Sequence, residues 1–170
     1  QIVGQGTGRL EEAIAAYKQL LVRNPNFLYA YLNLAFVYLA QWGFQLSPDP
    51  QTLGRALEAA QRGVALNDSL PMAHIALGYV YLGQKQYAQA RAETERAIAL
   101  NPTYADSYAI LAAILNAVGK SEEAPGLAEQ AVRLDSSNPW LLNELGRTYS
   151  LTGRYEEAIA TLKKFILAYP

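Results

Sequence analysis

The sequence contains no cysteine, one histidine and one methionine among its 170 residues. Disulfide bonds and thiolate metal sites are therefore excluded, although the redox compartment stays open. An excess of charge of one sign is also lacking, because 14 basic residues stand against 15 acidic ones and leave a net charge of −1. Nucleic-acid binding usually needs a concentrated positive surface that displaces counterions. We therefore expect no nucleic-acid partner.

A long hydrophobic run is absent as well. The most apolar stretch, residues 27–40, is interrupted by Asn33 and followed by Gln41 and Gly43. It is shorter than the roughly 17–25 residues that a membrane helix needs, so it predicts a helix buried on several sides and no membrane span. No signal peptide is visible, and a cytoplasmic location is expected, with the periplasm as the alternative. The first and last residues, Gln1 and Pro170, suggest a module of a longer protein.

What the sequence does contain is a repeat of 34 residues. Tyr-Ala-Gln-Ala at 87–90 recurs as Ser-Glu-Glu-Ala at 121–124 and as Tyr-Glu-Glu-Ala at 155–158. Pairs of a leucine and a small residue keep the same step at 77–78, 111–112 and 145–146. Such a fixed period indicates stacked supersecondary units, none of which can bury its apolar face alone.

This arrangement resembles the tetratricopeptide repeat, whose first helix carries Leu-Gly and Tyr and whose second helix carries Ala and an aromatic residue before an exit proline. The resemblance implies an all-α fold, an α-solenoid of antiparallel helix pairs wound into a superhelix, with about nine helices. It divides one solenoid domain, residues 1–170, into the half repeat 1–27 and four repeats at 28–70, 71–104, 105–138 and 139–170.

Several positions predict local structure. Small residues at Gly78, Ala112 and Gly146 would let paired helices approach closely. Between the helices, Gly83, Gly119 and Gly153 would supply a positive φ angle that ends the first helix. The glycine-rich residues 1–8 are expected to be a frayed tail before the first helix.

Two repeats depart from the pattern. Nine extra residues in repeat 28–70 lie between Leu39 and Leu53, and they predict either a longer first helix or a larger loop. Trp42, Phe44 and Leu46 in this insertion would pack onto the solenoid or form a binding feature. In repeat 105–138, Pro125-Gly126 near the start of the second helix predicts a weak helix, because proline is tolerated only in a first turn.

Two features that could carry chemistry have simpler structural interpretations. The carboxylate pairs at 11–12, 122–123 and 156–157 occupy the same two repeat positions, where they favour the positive end of a helix dipole. His74 is the only histidine and stands where the family places a large residue, so packing is favoured over metal binding. We therefore expect no catalytic residue, no metal and no cofactor.

The resemblance also implies a peptide-binding groove lined by the first helices. Its register places thirteen residues on the groove, and we call them the groove residues: Tyr29, Leu32, Phe36, Leu39, Met72, Ile75, Tyr79, Leu82, Asp106, Asn116, Trp140, Asn143 and Arg147. The Lys and Asn pattern with which family members grip a peptide carboxylate is missing. The groove is expected to be apolar and aromatic, with a polar end.

These features predict a protein-interaction scaffold and not an enzyme. Its partner would be a protein or a peptide, held as an amphipathic helix or an extended apolar segment. The alternative is a homo-oligomerisation module whose groove is filled by its own chain, for example by residues 40–54. The long repeat 28–70 is also similar to the tetratricopeptide tails of bacterial cyclase-type and winged-helix regulator proteins, which would imply a signalling role.

Overall fold

A computed structural model describes residues 2–43 and 51–168, with side chains from residue 8 onward. Within these ranges the chain forms nine α-helices, one short 3₁₀ helix and no strand. The predicted all-α fold of paired helices is therefore confirmed. The chain divides into two compact units, Gln1–Gln86 and Tyr87–Pro170, which we call the N-terminal and the C-terminal unit.

The N-terminal unit consists of α1 (Ile2–Arg23), α2 (Leu28–Gly43), α3 (Gln51–Leu66) and α4 (Pro71–Gly83). Helix α2 packs against the other three, and α3 also packs against α4. Consecutive helices joined by short loops run antiparallel. Small side chains bring the helices close, because the fully buried core includes the alanines at 35, 56, 60, 73 and 76.

The C-terminal unit consists of α5 (Tyr87–Leu100), α6 (Ala105–Ala117), α7 (Ala124–Leu134), α8 (Pro139–Leu151) and α9 (Tyr155–Ala168). Each helix packs against the next one in the sequence, and α6 also contacts α8. Gly146 on α8 faces Leu162 on α9 so closely that a Cβ atom would lie 2.6 Å from Leu162 Cγ. The prediction that a small residue at 146 permits close helix approach is thus confirmed.

In each repeat the second helix ends in the same turn, wherever the structure describes the loop that follows it. The side chains of Asn24, Asn67, Asn101 and Asp135 each accept a hydrogen bond from the backbone N–H two residues later, at 3.0–3.3 Å. This local bond gives the backbone an alternative to continuing the helix. The four turns recur because Asn or Asp stands at one repeat position.

One repeat position ties each of three first helices to the loop before it. Tyr31 donates its hydroxyl hydrogen to the carbonyl of Pro25 at 3.0 Å, and Tyr108 donates to Pro102 at 2.7 Å. His74 occupies the equivalent place and uses Nε2 to donate to the carbonyl of Asp68 at 2.7 Å. The buried His74 therefore makes the structural contact that a tyrosine makes in the other two repeats, which agrees with its predicted packing role.

Two predictions about glycine are wrong. Helix α1 begins at Ile2, so residues 2–8 are not a frayed tail; glycine weakens a helix without ending it, because unlike proline it keeps its N–H. The positive φ angle occurs at Gly119 and Gly153 as predicted, but in repeat 71–104 it falls on Lys85 and not on Gly83. Gly83 is the last residue of α4, and its missing side chain leaves room for Leu53.

The insertion and the proline repeat both change a helix end. Helix α2 ends at Gly43 and α3 begins at Gln51, whereas Phe44 and Leu46 of the insertion lie outside the described residues. In repeat 105–138 the second helix opens as a 3₁₀ turn, Ser121–Glu123, before α7. Pro125 then stands in the first turn of α7, where its missing N–H costs no hydrogen bond.

Candidate functional site

Aromatic groove residues meet on the first helices of the N-terminal unit. The rings of Phe36 on α2 and Tyr79 on α4 lie edge to face, with their centroids 6.4 Å apart. Both residues are half-buried, and Tyr29, which lies about two helical turns before Phe36 on α2, is 49% exposed. Aromatic side chains that are partly open to solvent supply large contact areas for a partner at a low entropic cost.

Leu39, Met72 and Leu82 extend this aromatic pair. All three are half-buried, and Leu39 and Met72 pack against the core around α2 and α4. Together with Tyr29, Phe36 and Tyr79 they form the surface that we call the apolar face of the N-terminal unit. Side chains with part of their apolar area still in contact with water can gain free energy when a partner covers them.

Leu32 and Ile75 do not belong to this surface, although the sequence register placed them on the groove. They are 0% and 1% exposed. Leu32 packs over Gly63 of α3, and it therefore points into the interface between the paired helices. Leu32, the fifth residue of its repeat, therefore belongs to the core, because Gly63 on the second helix of the repeat leaves space for its side chain.

Most groove residues of the C-terminal unit are polar, and two of them already have partners within the unit. Asn116 on α6 donates to Thr148 Oγ1 on α8 at 3.0 Å, which ties the two first helices together. Arg147 pairs with Glu144 one turn earlier on α8, with an Nη2–Oε1 distance of 2.5 Å. Trp140 is 47% exposed at the start of the same helix, and Asn143 is half-buried. This face offers hydrogen-bonding groups and a single aromatic side chain.

Burial perturbs the acidic groups near this polar face. Burial raises the pKa of Asp106, and the neighbouring Asp135 adds to the shift. Burial also raises the pKa of Glu144, although its hydrogen bond and ion pair with Arg147 oppose the change. The pKa of Tyr104, next to α6, rises to about 12 because burial and the negative charge of Asp106 both disfavour the phenolate. These groups are held in partly desolvated positions.

A concavity that the sequence did not predict lies in the N-terminal unit between α1 and α3, with α2 as its floor. It has a volume of about 430 Å³ and continues into a second one of about 310 Å³. Lys18, Tyr38 and Arg55 line both parts, and we call the whole the basic cleft. The available signal was the presence of Lys18 and Arg55 at repeat positions where repeat 105–138 carries Glu129 and Glu123.

The described part of the chain holds no group of three or more histidine, aspartate or glutamate side chains arranged to bind a metal ion. Among the same residues, no helix combines the length and the hydropathy needed to cross a membrane. The apolar, polar and basic side chains on these helix faces can recognise another molecule by direct contact.

The paired helices, their common turns and their exposed helix faces define a helical repeat module. Models described as TPR repeat and Tetratricopeptide repeat match residues 7–41, 71–104, 94–124 and 127–160, which is more than half of the chain. The chain belongs to the tetratricopeptide repeat family, whose helix pairs stack into α-solenoids that generally serve as scaffolds for protein interactions.

Known proteins of this kind resemble the chain at modest identity. The type IV pilus assembly protein PilF of Pseudomonas aeruginosa is 34% identical over 94 residues, which span 53% of this chain but only 36% of that protein. The crystal structure of MamA matches with 26% identity and a TM-score of 0.59, covering 96% of this chain and 91% of that one. The thermophilic protein TTC0263 of Thermus thermophilus matches in fold, with 23% identity, a TM-score of 0.79 and coverage of 98% and 86%.

Proposed function

We propose that the chain binds a peptide or a helix of a partner protein on the apolar face of its N-terminal unit. The observation that carries the proposal is the half-buried edge-to-face pair of Phe36 and Tyr79, flanked by the exposed ring of Tyr29. A partner side chain that covers this pair would bury aromatic area which the core leaves accessible. An amphipathic helix or an extended apolar segment suits such a surface.

The groove residues of the C-terminal unit form a weaker candidate surface. Asn116 and Arg147 already have partners within the unit, so a ligand must compete with existing hydrogen bonds. Trp140, which is 47% exposed, is the one aromatic residue among them. We therefore propose that the main anchor lies on the apolar face of the N-terminal unit.

The test compares the partners captured by the native chain with those captured by a Phe36→Glu plus Tyr79→Glu variant. Carboxylates placed on the apolar face should weaken binding by about 2 kcal/mol or more, which is roughly thirtyfold. Circular dichroism must first show that the variant keeps its helix content. If every partner is retained by the folded variant, the proposal is wrong.

Self-association is the second candidate, and the last helix supplies the observation that favours it. Tyr155, Ile159, Ile166 and Leu167 on α9 are between 50% and 81% exposed. Large apolar side chains in such a density mark surfaces that another chain can cover. A second copy of the chain would then bury α9, and the protein would serve as a homo-oligomerisation module.

A matched variant separates the two candidates. Tyr155→Glu plus Ile166→Glu also replaces one tyrosine and one large apolar residue, but it does so on α9. If self-association through α9 operates, light scattering across a concentration series should show oligomers for the native chain and monomers for this variant. The Phe36→Glu plus Tyr79→Glu variant should then keep the oligomers. Monomers of the native chain at all concentrations would exclude this candidate.

The chain would act as one module of a larger signalling or regulatory protein. It spans only 36% of PilF, whose printed name describes a pilus assembly protein. Assembly roles of that kind need a surface that holds other polypeptides, which agrees with a scaffold. The similarity to cyclase-type and regulator tails stays a prediction from the sequence.

A further inference from the structure

Three helices in each unit meet at corresponding repeat positions. Residues of α3 have counterparts 102 positions later, in α9 or just before it. Residues of α1 and α2 have counterparts 111 positions later, in α7 and α8, because the nine-residue insertion lies between α2 and α3. By this register the following residues correspond: Lys18 and Glu129, Tyr38 and Tyr149, Thr52 and Arg154, Arg55 and Glu157. One place in the repeat can therefore be compared in two units, each described by itself.

In the C-terminal unit this place is filled by a charged network. Tyr149 donates its hydroxyl hydrogen to Glu129 Oε1 at 3.0 Å, and Arg154 Nη1 lies 3.2 Å from the same oxygen. The guanidinium of Arg154 covers the Tyr149 ring at 4.2 Å and pairs with Glu157. Carboxylates contributed by α7 and α9 thus satisfy both the tyrosine and the arginine.

In the N-terminal unit the described counterparts of the two glutamates and the arginine are residues of other types. Lys18 and Arg55 stand in the positions of the two glutamates, and the counterpart of Arg154 is the short, buried Thr52. Arg55 Nη2 donates to Gln51 Oε1 on the same helix at 3.2 Å, so a carboxylate would share the guanidinium with this neutral partner. The hydroxyl of Tyr38 makes no hydrogen bond to any residue that the structure describes. The space that the network would occupy is instead the open basic cleft, with Lys18, Tyr38 and Arg55 at its centre.

We propose that the basic cleft binds carboxylate side chains of an acidic segment of a partner protein. A carboxylate at the place of Glu129 would accept a hydrogen bond from Tyr38 and pair with Lys18 and Arg55, repeating from outside the contacts that the C-terminal unit makes internally. Arg62, whose guanidinium lies 6.0 Å from the centre of the Tyr31 ring, extends the positive rim. This site goes beyond the proposed function, because it lies between α1 and α3 and not on the apolar face.

Two acidic residues limit where in the cleft a carboxylate can bind, because they would repel it. Glu58 lines the larger part and Glu11 the smaller part, whereas the shared centre is lined by Lys18, Tyr38 and Arg55. A partner with acidic side chains spaced by small residues could place one carboxylate at this centre. Apolar contacts with Leu34 on α2 and Ala59 on α3 would then fix the segment.

The experiment measures the fluorescence anisotropy of a short labelled peptide of alternating aspartate and alanine, with the matching asparagine peptide as its neutral control. The native chain should bind the aspartate peptide, and added salt should weaken binding because exposed charges are screened. Lys18→Glu plus Arg55→Glu should weaken binding about tenfold or more, since two attractive contacts become repulsive.

The matched control is Lys163→Glu plus Lys164→Glu on α9, which changes the net charge by the same amount at exposed positions outside the cleft. It should retain binding, as should Phe36→Glu plus Tyr79→Glu, so that failure of this site and failure of the proposed function are distinguishable. The proposal is overturned if the native chain does not bind the aspartate peptide, if the asparagine peptide binds equally, or if both charge reversals weaken binding equally.

Discussion

The side chain of Leu32 on α2 lies directly over the backbone of Gly63 on α3, so close that a Cβ atom on residue 63 would stand 2.3 Å from Leu32 Cδ2. Because Leu32 is fully buried within the core cluster, a shift of its side chain would press on its buried neighbours. We expect Gly63→Ala to lower the free energy of unfolding by about 1–3 kcal/mol through overpacking. Denaturant unfolding followed by circular dichroism would measure this change.

Gly54 on the same helix provides the control, because nothing lies within 4 Å of the position of its Cβ atom. Gly54→Ala should raise the free energy of unfolding by roughly 0.5–1 kcal/mol, since alanine loses less backbone entropy in a helix. Equal effects of the two substitutions would contradict the packing of Leu32 over Gly63.

The positive φ angle of Lys85 allows a test of backbone strain. Lys85 has a φ of 60° at the repeat position where Gly119 and Gly153 have 79° and 75°. Non-glycine residues are disfavoured in this region by roughly 1–2 kcal/mol, part of which the entropy cost of glycine offsets. Lys85→Gly should therefore raise the free energy of unfolding by about 0.5–1 kcal/mol, and Gly153→Ala should lower it by a similar amount. A loss of stability in Lys85→Gly would show that the lysine side chain matters more than its backbone angle.

Tyr149 and Tyr38 occupy one repeat position but differ in hydrogen bonding. Tyr149 donates to Glu129, whereas the Tyr38 hydroxyl has no such bond within the described residues. Tyr149→Phe should lower the free energy of unfolding by about 0.5–1.5 kcal/mol, the usual net contribution of one hydrogen bond. Tyr38→Phe should leave it nearly unchanged, and thermal unfolding of both variants would decide. A larger loss in Tyr38→Phe would mean that its hydroxyl has a partner inside the protein.

Two aspartates should give opposite pH dependences of stability. Burial raises the pKa of Asp106 above its ordinary value of 3.8, so its favourable contribution is complete below that value and is lost as the pH rises through the folded pKa. The hydrogen bond from the Ser137 hydroxyl lowers the pKa of Asp135, so its contribution is present above the ordinary value and is lost as the pH falls through the folded pKa.

The measurement compares urea unfolding of the native chain, Asp106→Asn and Asp135→Asn over a series of pH values from neutral to acidic. The native chain should gain stability relative to Asp106→Asn as the pH falls, and it should lose stability relative to Asp135→Asn. Parallel pH profiles for the two variants would contradict the difference in environment.

Much of the local structure follows from the repeat period. Asn or Asp at the end of a second helix predicts a turn wherever it recurs, because its side chain binds the backbone two residues away. His74 could be assigned a packing role from its register alone. Gly83 could not be interpreted in this way, since a glycine that makes room for Leu53 and a glycine that adopts a positive φ look the same in a sequence.

The sequence by itself determined the helices, their pairing and the membership of the tetratricopeptide repeat family, because the spacing of apolar residues and the turn residues act over short distances. The tertiary structure decided which side chains remain accessible. It buried Leu32 and Ile75 in the core and left Phe36 and Tyr79 half-exposed. It also left the basic cleft open above Tyr38, because that space depends on how the side chains of three consecutive helices pack together.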